Sequence, residues 1–344
     1  MKKQLSIIII MIALTALFVL GCQTARTGHR PKIVIYTSMY ADVVDAVSEK
    51  LTHRFPNYRI EFVQGGTGIL QARIAQEMPK GRLSADILMI AEPAYSLELQ
   101  EKGILHPFMF TDAHQLVFDY DPDGYWYPVR VSNMVLAYNP ARHMRVTVPN
   151  SFFDFAYDTR VGGAVSMRNP LVSGTTMAAL TAFRDKYGFA YFEALGRQRV
   201  IIDYGVDESL LRLETGESKT VMILEESILN ARQKRNLAFE IIYPTDGTVV
   251  IPSNIMIINN QWSANRNTQA AEEIAEWFLS MEGQAAIVAG WMHSVRSDFP
   301  YPPNGSIPIR EIQANSIPVI WENVFRQHQE IRQRFEEYIA SGRY

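Results

Sequence analysis

Three short stretches of the chain combine hydroxyls, small residues and helix-starting grammar: Thr37-Ser38, Gly65 to Gly68, and Ser173 to Thr176. A helix start offers main-chain N–H groups without intrahelical partners and a partial positive charge, which suits an anion. Glycine lets a ligand approach the backbone, and hydroxyls donate without adding charge. Together these groups can hold a phosphate, phosphonate or carboxylate, with Arg130 or Arg168 able to supply charge. Any one loop alone is explained by ordinary N-capping. Three of them argue for a shared anion site whose contacts are Thr37, Ser38, Gly66, Thr67, Ser173, Gly174 and Thr175.

Glu225 and Glu226 close an apolar run, Val221 to Leu224, and add carboxylates that can accept hydrogen bonds from hydroxyls or bind an ammonium group. A solvated loop charge is the plainer reading of the pair. Asp203, Tyr204, Asp207 and Glu208 lie in a polar loop before it, and Asp246 sits in a turn, Pro244 to Gly247. Tyr125-Trp126-Tyr127 reads as packing ahead of stacking on a ligand ring. Catalytic signatures are missing. The sequence has no Gly-x-Ser-x-Gly elbow and no His-Glu-x-x-His metal helix. No Gly-Lys-Ser or Gly-Lys-Thr follows Gly65 to Gly68. The seven histidines are scattered, with His53 and His143 expected at the surface. The expectation is a non-enzyme without a cofactor or a resident metal.

These residues need elements to position them, and the chain supplies an alternation of strands and helices. Ile33 to Tyr36 is a short apolar run, a buried strand. Thr37-Ser38 follow as helix caps, and Val43, Val47 and Leu51 recur on one helix face. Ile60 to Val63 reads as a strand, Ile69 to Glu77 as a helix and Ala85 to Ile90 as a buried strand. Farther on, Val135 to Asn139, Ala164 to Met167, Val221 to Leu224 and Ile255 to Ile258 read as strands. Ser173 to Thr176 opens a helix that carries Met177, Leu180, Phe183 and Tyr187, and helices follow over Ala270 to Ser280 and Trp321 to Ile339. Such alternation implies an α/β fold in which ligands bind at the carboxyl ends of strands, where Thr37-Ser38 and Gly65 to Gly68 fall.

Size and charge bound the function. The chain has 344 residues, comfortable for two domains. Its formal net charge of -3 disfavours nucleic acid as a partner. Lys2-Lys3 precede an apolar run, Leu5 to Leu20, that falls short of the ~20 residues of a spanning helix. The run reads as the core of a signal peptide over 1–21. Val19-Leu20-Gly21-Cys22 then resembles a lipobox, and Cys22 is the chain's sole cysteine. Acylation there would add several chains, enough for stable anchoring. Residues 22–30 read as a tether.

Taken in order, five segments resemble the type 2 periplasmic-binding-protein fold, in the branch of ferric-iron, phosphonate, thiamine and sugar-phosphate receptors. They are Ile33 to Ser38; Ala85-Asp86-Ile87 with Ala91-Glu92-Pro93; Val131 to Asn139; Asn169 to Thr175; and Glu214 to Glu217. The resemblance covers nearly all of the mature chain. It implies two α/β lobes, each a mixed sheet flanked by helices, joined by two crossover strands. Lobe one would hold 31–130 and 255–344, and lobe two 131–254. It further implies a monomeric lipoprotein at the cell envelope that delivers a small anionic solute to ABC permease subunits. Iron-binding members carry a Tyr-Tyr pair where this chain has Glu225 and Glu226. That departure favours an organophosphate, such as a sugar phosphate, or a phosphonate; ferric iron is the alternative. A receptor that presents its ligand to a membrane histidine kinase is the alternative of another class.

Overall fold

The computed structural model describes residues 30–299 and 301–340. The expected signal peptide and Cys22 lie outside them, as does the tether apart from Arg30. Among the described residues no helix is long and apolar enough to cross a membrane.

The chain opens with β1 (Lys32–Thr37), α1 (Ala41–Arg54), β2 (Arg59–Gln64), α2 (Thr67–Glu77), β3 (Ile87–Ile90), α3 (Pro93–Glu101) and the short β4 (Leu105–His106). A long strand, β5 (Trp126–Tyr138), leads into α4 (Phe152–Tyr157), β6 (Val165–Arg168), α5 (Gly174–Tyr187), α6 (Ala190–Arg197) and β7 (Ile201–Asp203). After these come α7 (Val206–Thr215), β8 (Thr220–Leu224), α8 (Glu225–Arg235), β9 (Glu240–Ile242) and a second long strand, β10 (Val249–Ile258). The chain finishes with α9 (Thr268–Leu279), α10 (Met281–Ala289), α11 (Ile309–Ala314) and α12 (Trp321–Phe335).

The strands hydrogen-bond in the order β2-β1-β3-β10-β5-β8-β6-β7, with β4 on β10 and β9 on β5. Pairing is parallel among β2, β1 and β3 and among β8, β6 and β7, and antiparallel wherever β5 or β10 takes part. Side chains alternate across a strand, and here both faces are covered. Ile33, Ile35, Ile87, Met89, Ile255 and Ile257 enter one core, while Val34, Tyr36, Leu88, Ile90, Met256 and Ile258 enter another on the opposite face. The far end of the sheet repeats the plan, with Met134, Leu136, Met167 and Met222 on one side and Ala137, Val221 and Ile223 on the other. The apolar runs thus mark strands buried on both faces, as parallel sheets require.

Between the two cores β5 and β10 pair with each other. Met134 to Ala137 also meet β8, and Asn254 to Ile257 also meet β3. The ribbon between them carries a register shift at Ser253/Asn254. β10 begins at Val249 rather than at Ile255 because Pro252, which breaks the strand pattern in the sequence, pairs with Val131 on one side and lies before the β3 register on the other. A proline is tolerated on such a free edge.

Two further expectations shift. Thr37-Ser38 do not cap α1, which starts at Ala41 with Tyr40 at its N-cap and no side-chain cap bond. The final helix, grouped in the sequence reading with the first half of the chain, places Ile331, Phe335 and the following Ile339 in the core of the second lobe. It also touches α3 of the first lobe. Removing the fully buried Ile331 side chain should therefore destabilise the second core: Ile331→Ala is expected to cost about 2–5 kcal/mol in urea denaturation. A loss below ~0.5 kcal/mol would mean that the tail does not pack there.

Candidate functional site

The lobes meet over a cavity of about 40 Å³. Ser38, Met39 and Tyr40 enter it from the loop after β1, and Gly66 and Thr67 from the start of α2. β5 contributes Arg130 and Ser132, and the end of β6 contributes Arg168. Ser173, Gly174 and Thr175 present the start of α5, and Glu226 the first turn of α8. The predicted residues Ser38, Gly66, Thr67, Ser173, Gly174, Thr175 and Glu226 are thereby brought together. Thr37 and Glu225 are not part of the lining. Thr37 is fully buried, and its hydroxyl oxygen accepts the Met39 N–H at 3.2 Å. Asp246 accepts from the N–H groups of Phe152 and Phe153, and Asp203 pairs with Arg212. Tyr127 packs on Phe108, Phe110 and Tyr120.

Arg130 dominates the electrostatics. It is 2% exposed. One terminal nitrogen donates to Ser38 Oγ at 2.9 Å and the other to Ser132 Oγ at 3.2 Å and Met292 Sδ at 3.3 Å, while its Nε has no partner among the described residues. A guanidinium has five donors and stays charged in a protein; among the described residues no carboxylate lies at ion-pair distance from this one, and Glu226 answers its charge only across Ser132, whose hydroxyl accepts from Arg130 and donates to Glu226 at 2.6 Å. Ser38 Oγ accepts from both Arg130 and the Ala91 N–H, at 3.1 Å, which leaves its hydroxyl proton free to donate into the cavity. Arg168 brings a second guanidinium whose Nε also has no partner among the described residues. The helix starts add polarity of the same sign, because the first amides of α2 and α5 have no intrahelical partners. Ser173 caps α5 by accepting the Thr176 N–H at 3.3 Å.

Two adjacent carboxylates have opposite fates. Burial pushes Glu225 up, but His293, at 2.9 Å, and the hydroxyls of Ser306 and Tyr243 outweigh it and hold the carboxyl below its ordinary value. Burial raises Glu226 above its ordinary value, and its only donors among the described residues are the Ser132 hydroxyl, at 2.6 Å, and its own N–H. Tyr40, which hydrogen-bonds Ser227 at 2.7 Å, is pushed up to about 12 by burial and then by the Glu226 charge. Ser306, His293 and Glu225 do not form a nucleophilic triad. Ser306 and Glu225 both meet the same His293 nitrogen, Nε2, whereas a triad needs the acid on one ring nitrogen and the serine on the other.

The lobes touch on both sides of the cavity. A Cβ on Gly66 would lie 2.7 Å from Val172 O, one on Gly68 2.6 Å from Leu171 O, and one on Gly174 2.7 Å from Thr67 Cγ2. Across the cavity stand the Tyr40–Ser227 hydrogen bond and the Asp42–Lys234 ion pair at 3.0 Å. Only glycine allows the first seam to shut, which is the signal behind Gly66, Gly68 and Gly174. Sequence reasoning missed Tyr40, Ser132 and Met292. Ser132 was detectable as a polar residue within an apolar strand; nothing local marks the other two.

This architecture, two α/β lobes on a two-strand ribbon with a polar cavity between them, is that of a periplasmic binding protein. The family of bacterial extracellular solute-binding proteins matches residues 83–309, and the chain belongs to that family. Among solved structures, iron-bound HitA from Pseudomonas aeruginosa is similar at 18% identity and a TM-score of 0.77, covering 89% of this chain and 99% of its own. AfuA from Actinobacillus pleuropneumoniae with fructose-6-phosphate is similar at 18% identity and 0.77, covering 90% and 98%. A two-component-system protein described as mediating signal transduction is similar at 15% identity and 0.72, covering 88% and 99%. Curated proteins yield no sequence match.

The two carboxylates predict opposite responses to neutral isosteres. Glu225→Gln breaks a buried charged network and should cost about 3–5 kcal/mol at pH 7. Because the folded carboxyl is held below about 4.5, this contribution is complete above pH 4.5 and fades as the pH falls through the folded value. Glu226→Gln removes a charge whose burial is unfavourable and should leave the ligand-free melting temperature unchanged or higher. Calorimetry at pH 7 checks both; a larger loss for Glu226→Gln would reverse the assignment.

Proposed function

We propose that this protein is the solute receptor of an ABC importer and that it captures a small anionic solute, an organophosphate or a phosphonate, between its lobes. The observation that carries this reading is Arg130: a guanidinium 2% exposed, with no carboxylate at ion-pair distance among the described residues, facing a cavity ringed by hydroxyls and two helix starts. The anion would dock on Ser38, Thr67 and Arg130, and closure would bring Ser173, Gly174, Thr175 and Arg168 onto it. Hinge bending in the ribbon of β5 and β10 would allow the motion, and preferential affinity for the closed state would drive it. The compact cavity, several times the ~10–15 Å³ that one water requires, favours a short organophosphate or phosphonate over a bulky one. The protein acts as a receptor and carries out no catalysis. Export and lipid attachment at Cys22 belong to the same proposal, as does a monomeric state. The division into 31–130 with 255–344 and 131–254 is kept for the lobes, except that the end of the chain bridges both.

Ferric iron is the competing ligand, supported by the likeness to iron-bound HitA. Against it, Tyr40 is the one tyrosine lining the cavity among the described residues, and two guanidiniums face the same space. A sensor that feeds a membrane kinase would use the same cleft, and the likeness to a signal-transduction protein supports that alternative.

Thermal-shift measurements on the purified protein with phosphonates, sugar phosphates and ferric salts test the ligand, because a compound that binds only the folded state raises the melting temperature. A rise with a phosphonate or phosphate ester is expected. Arg130→Met should abolish it, since hydrogen bonds to a charged group contribute about 1.5–3 kcal/mol each. A rise with ferric ion alone would reject the anion reading.

A further inference from the structure

Glu226 is a carboxylate inside an anion cavity, and that is a puzzle. Its charge opposes the anion that Arg130 and Arg168 attract. It is 2% exposed and lines the cavity, and the Ser132 hydroxyl and its own N–H are its only donors among the described residues. An ionised carboxylate offers about four acceptor positions, so acceptor capacity remains unused on a group that burial makes costly. Glu226 and Arg130 line the same cavity and share the Ser132 hydroxyl, so a group bound to one lies close to the other. The missing donor must lie on or directly beside the anionic group.

We infer that the ligand is a compact oxyanion that keeps a proton on the anionic group, a hydrogen phosphate or an alkylphosphonate monoanion, and that this O–H donates to Glu226 while its bare oxygens face Arg130 and Arg168. This deepens the anion-receptor reading and rests on it. Glu226 is then a specificity residue: it accepts an oxyanion with a proton and repels a fully deprotonated one of the same shape. One proton must sit between ligand and carboxylate, and either partner can supply it. The charged and titratable groups facing Glu226 are Arg130 on β5, Arg168 on β6, Tyr40 before α1 and Glu225 beside it on α8. Arg130 and Arg168 stay charged at any accessible pH, Tyr40 is held neutral, and Glu225 is held ionised. Glu226 is the group left to gain the proton as the pH falls.

Isosteric pairs test this directly. Titration calorimetry of the purified protein at pH 7.5 would compare inorganic phosphate with sulfate, and methylphosphonate with methanesulfonate. The phosphorus member should bind at least ~100-fold more tightly in each pair, since a site built for a hydrogen-bonding proton strongly rejects an analogue that lacks it. Lowering the pH to 5.5 should strengthen sulfate binding, because a protonated Glu226 can donate to it. Glu226→Gln, with an amide N–H to offer, should bring the phosphate-to-sulfate ratio at pH 7.5 below about 10-fold. If that variant does not fold, the wild-type ratios and their pH dependence still decide. Equal affinities within each pair would overturn the inference and leave an anion receptor standing. Binding of none of the four would overturn the inference, and the anion reading falls with it if phosphate esters also fail to raise the melting temperature.

Discussion

A buried guanidinium, Arg130, with no carboxylate in direct contact among the described residues is the constraint around which this molecule is organised. Removing an ion from water costs several kcal/mol even after relaxation, and Arg130 repays little of that through two serine hydroxyls and a methionine sulfur. Nothing about the fold demands an arginine at that point in β5. Its neighbours Val129 and Val131 are fully buried apolar residues, as strand packing calls for. Glu226 offsets part of that charge across Ser132, and a bound anion would offset the rest. The unpaired Nε of Arg168, the half-satisfied Glu226 and the open first turns of α2 and α5 surround the same small space.

The rest of the fold serves that cavity. Each lobe is a sheet buried on both faces, stiff enough to hold its loops in place. Between the lobes the sheet narrows to two strands with a register shift, the segment best able to bend. Polar residues crowd the crossing: Asn133 donates to Glu225, and His293 pairs with Val131 through the main chain and with Glu225 through its ring. This network gathers the crossing strand, the start of α8 and the segment after α10. It lies apart from the cavity lining and ties a buried carboxylate into the fold, whereas the neighbouring Glu226 lines the cavity.

Much of this was legible in the sequence, for definable reasons. Apolar runs such as Ile33 to Tyr36 and Val221 to Leu224 announce two-sided strands because both faces must be covered. The Ser173 cap and the glycines at 66, 68 and 174 are local demands of helix starts and close backbone approach. What sequence reasoning could not supply was how neighbours divide their roles. Thr37 and Ser38 look interchangeable, yet strand alternation buries one and turns the other into the cavity. Glu225 and Glu226 look like a pair, yet one helix step sends the first to His293 and the second to Ser132. The partners that decide these cases lie 68 and 94 residues away, beyond the reach of any local pattern.

The central claim is that an anion held by Arg130 draws the lobes together across the Gly66, Gly68 and Gly174 seam. Fluorescence energy transfer between labels placed on the two lobes, read with and without saturating methylphosphonate, tests it most directly. The account predicts that the ligand shifts the population toward the short distance and that Gly68→Ala, whose Cβ would meet Leu171 O at 2.6 Å, holds the lobes apart even when ligand is present. An interlobe distance that ignores the ligand, or a Gly68→Ala variant that closes as readily as the wild type, would contradict it.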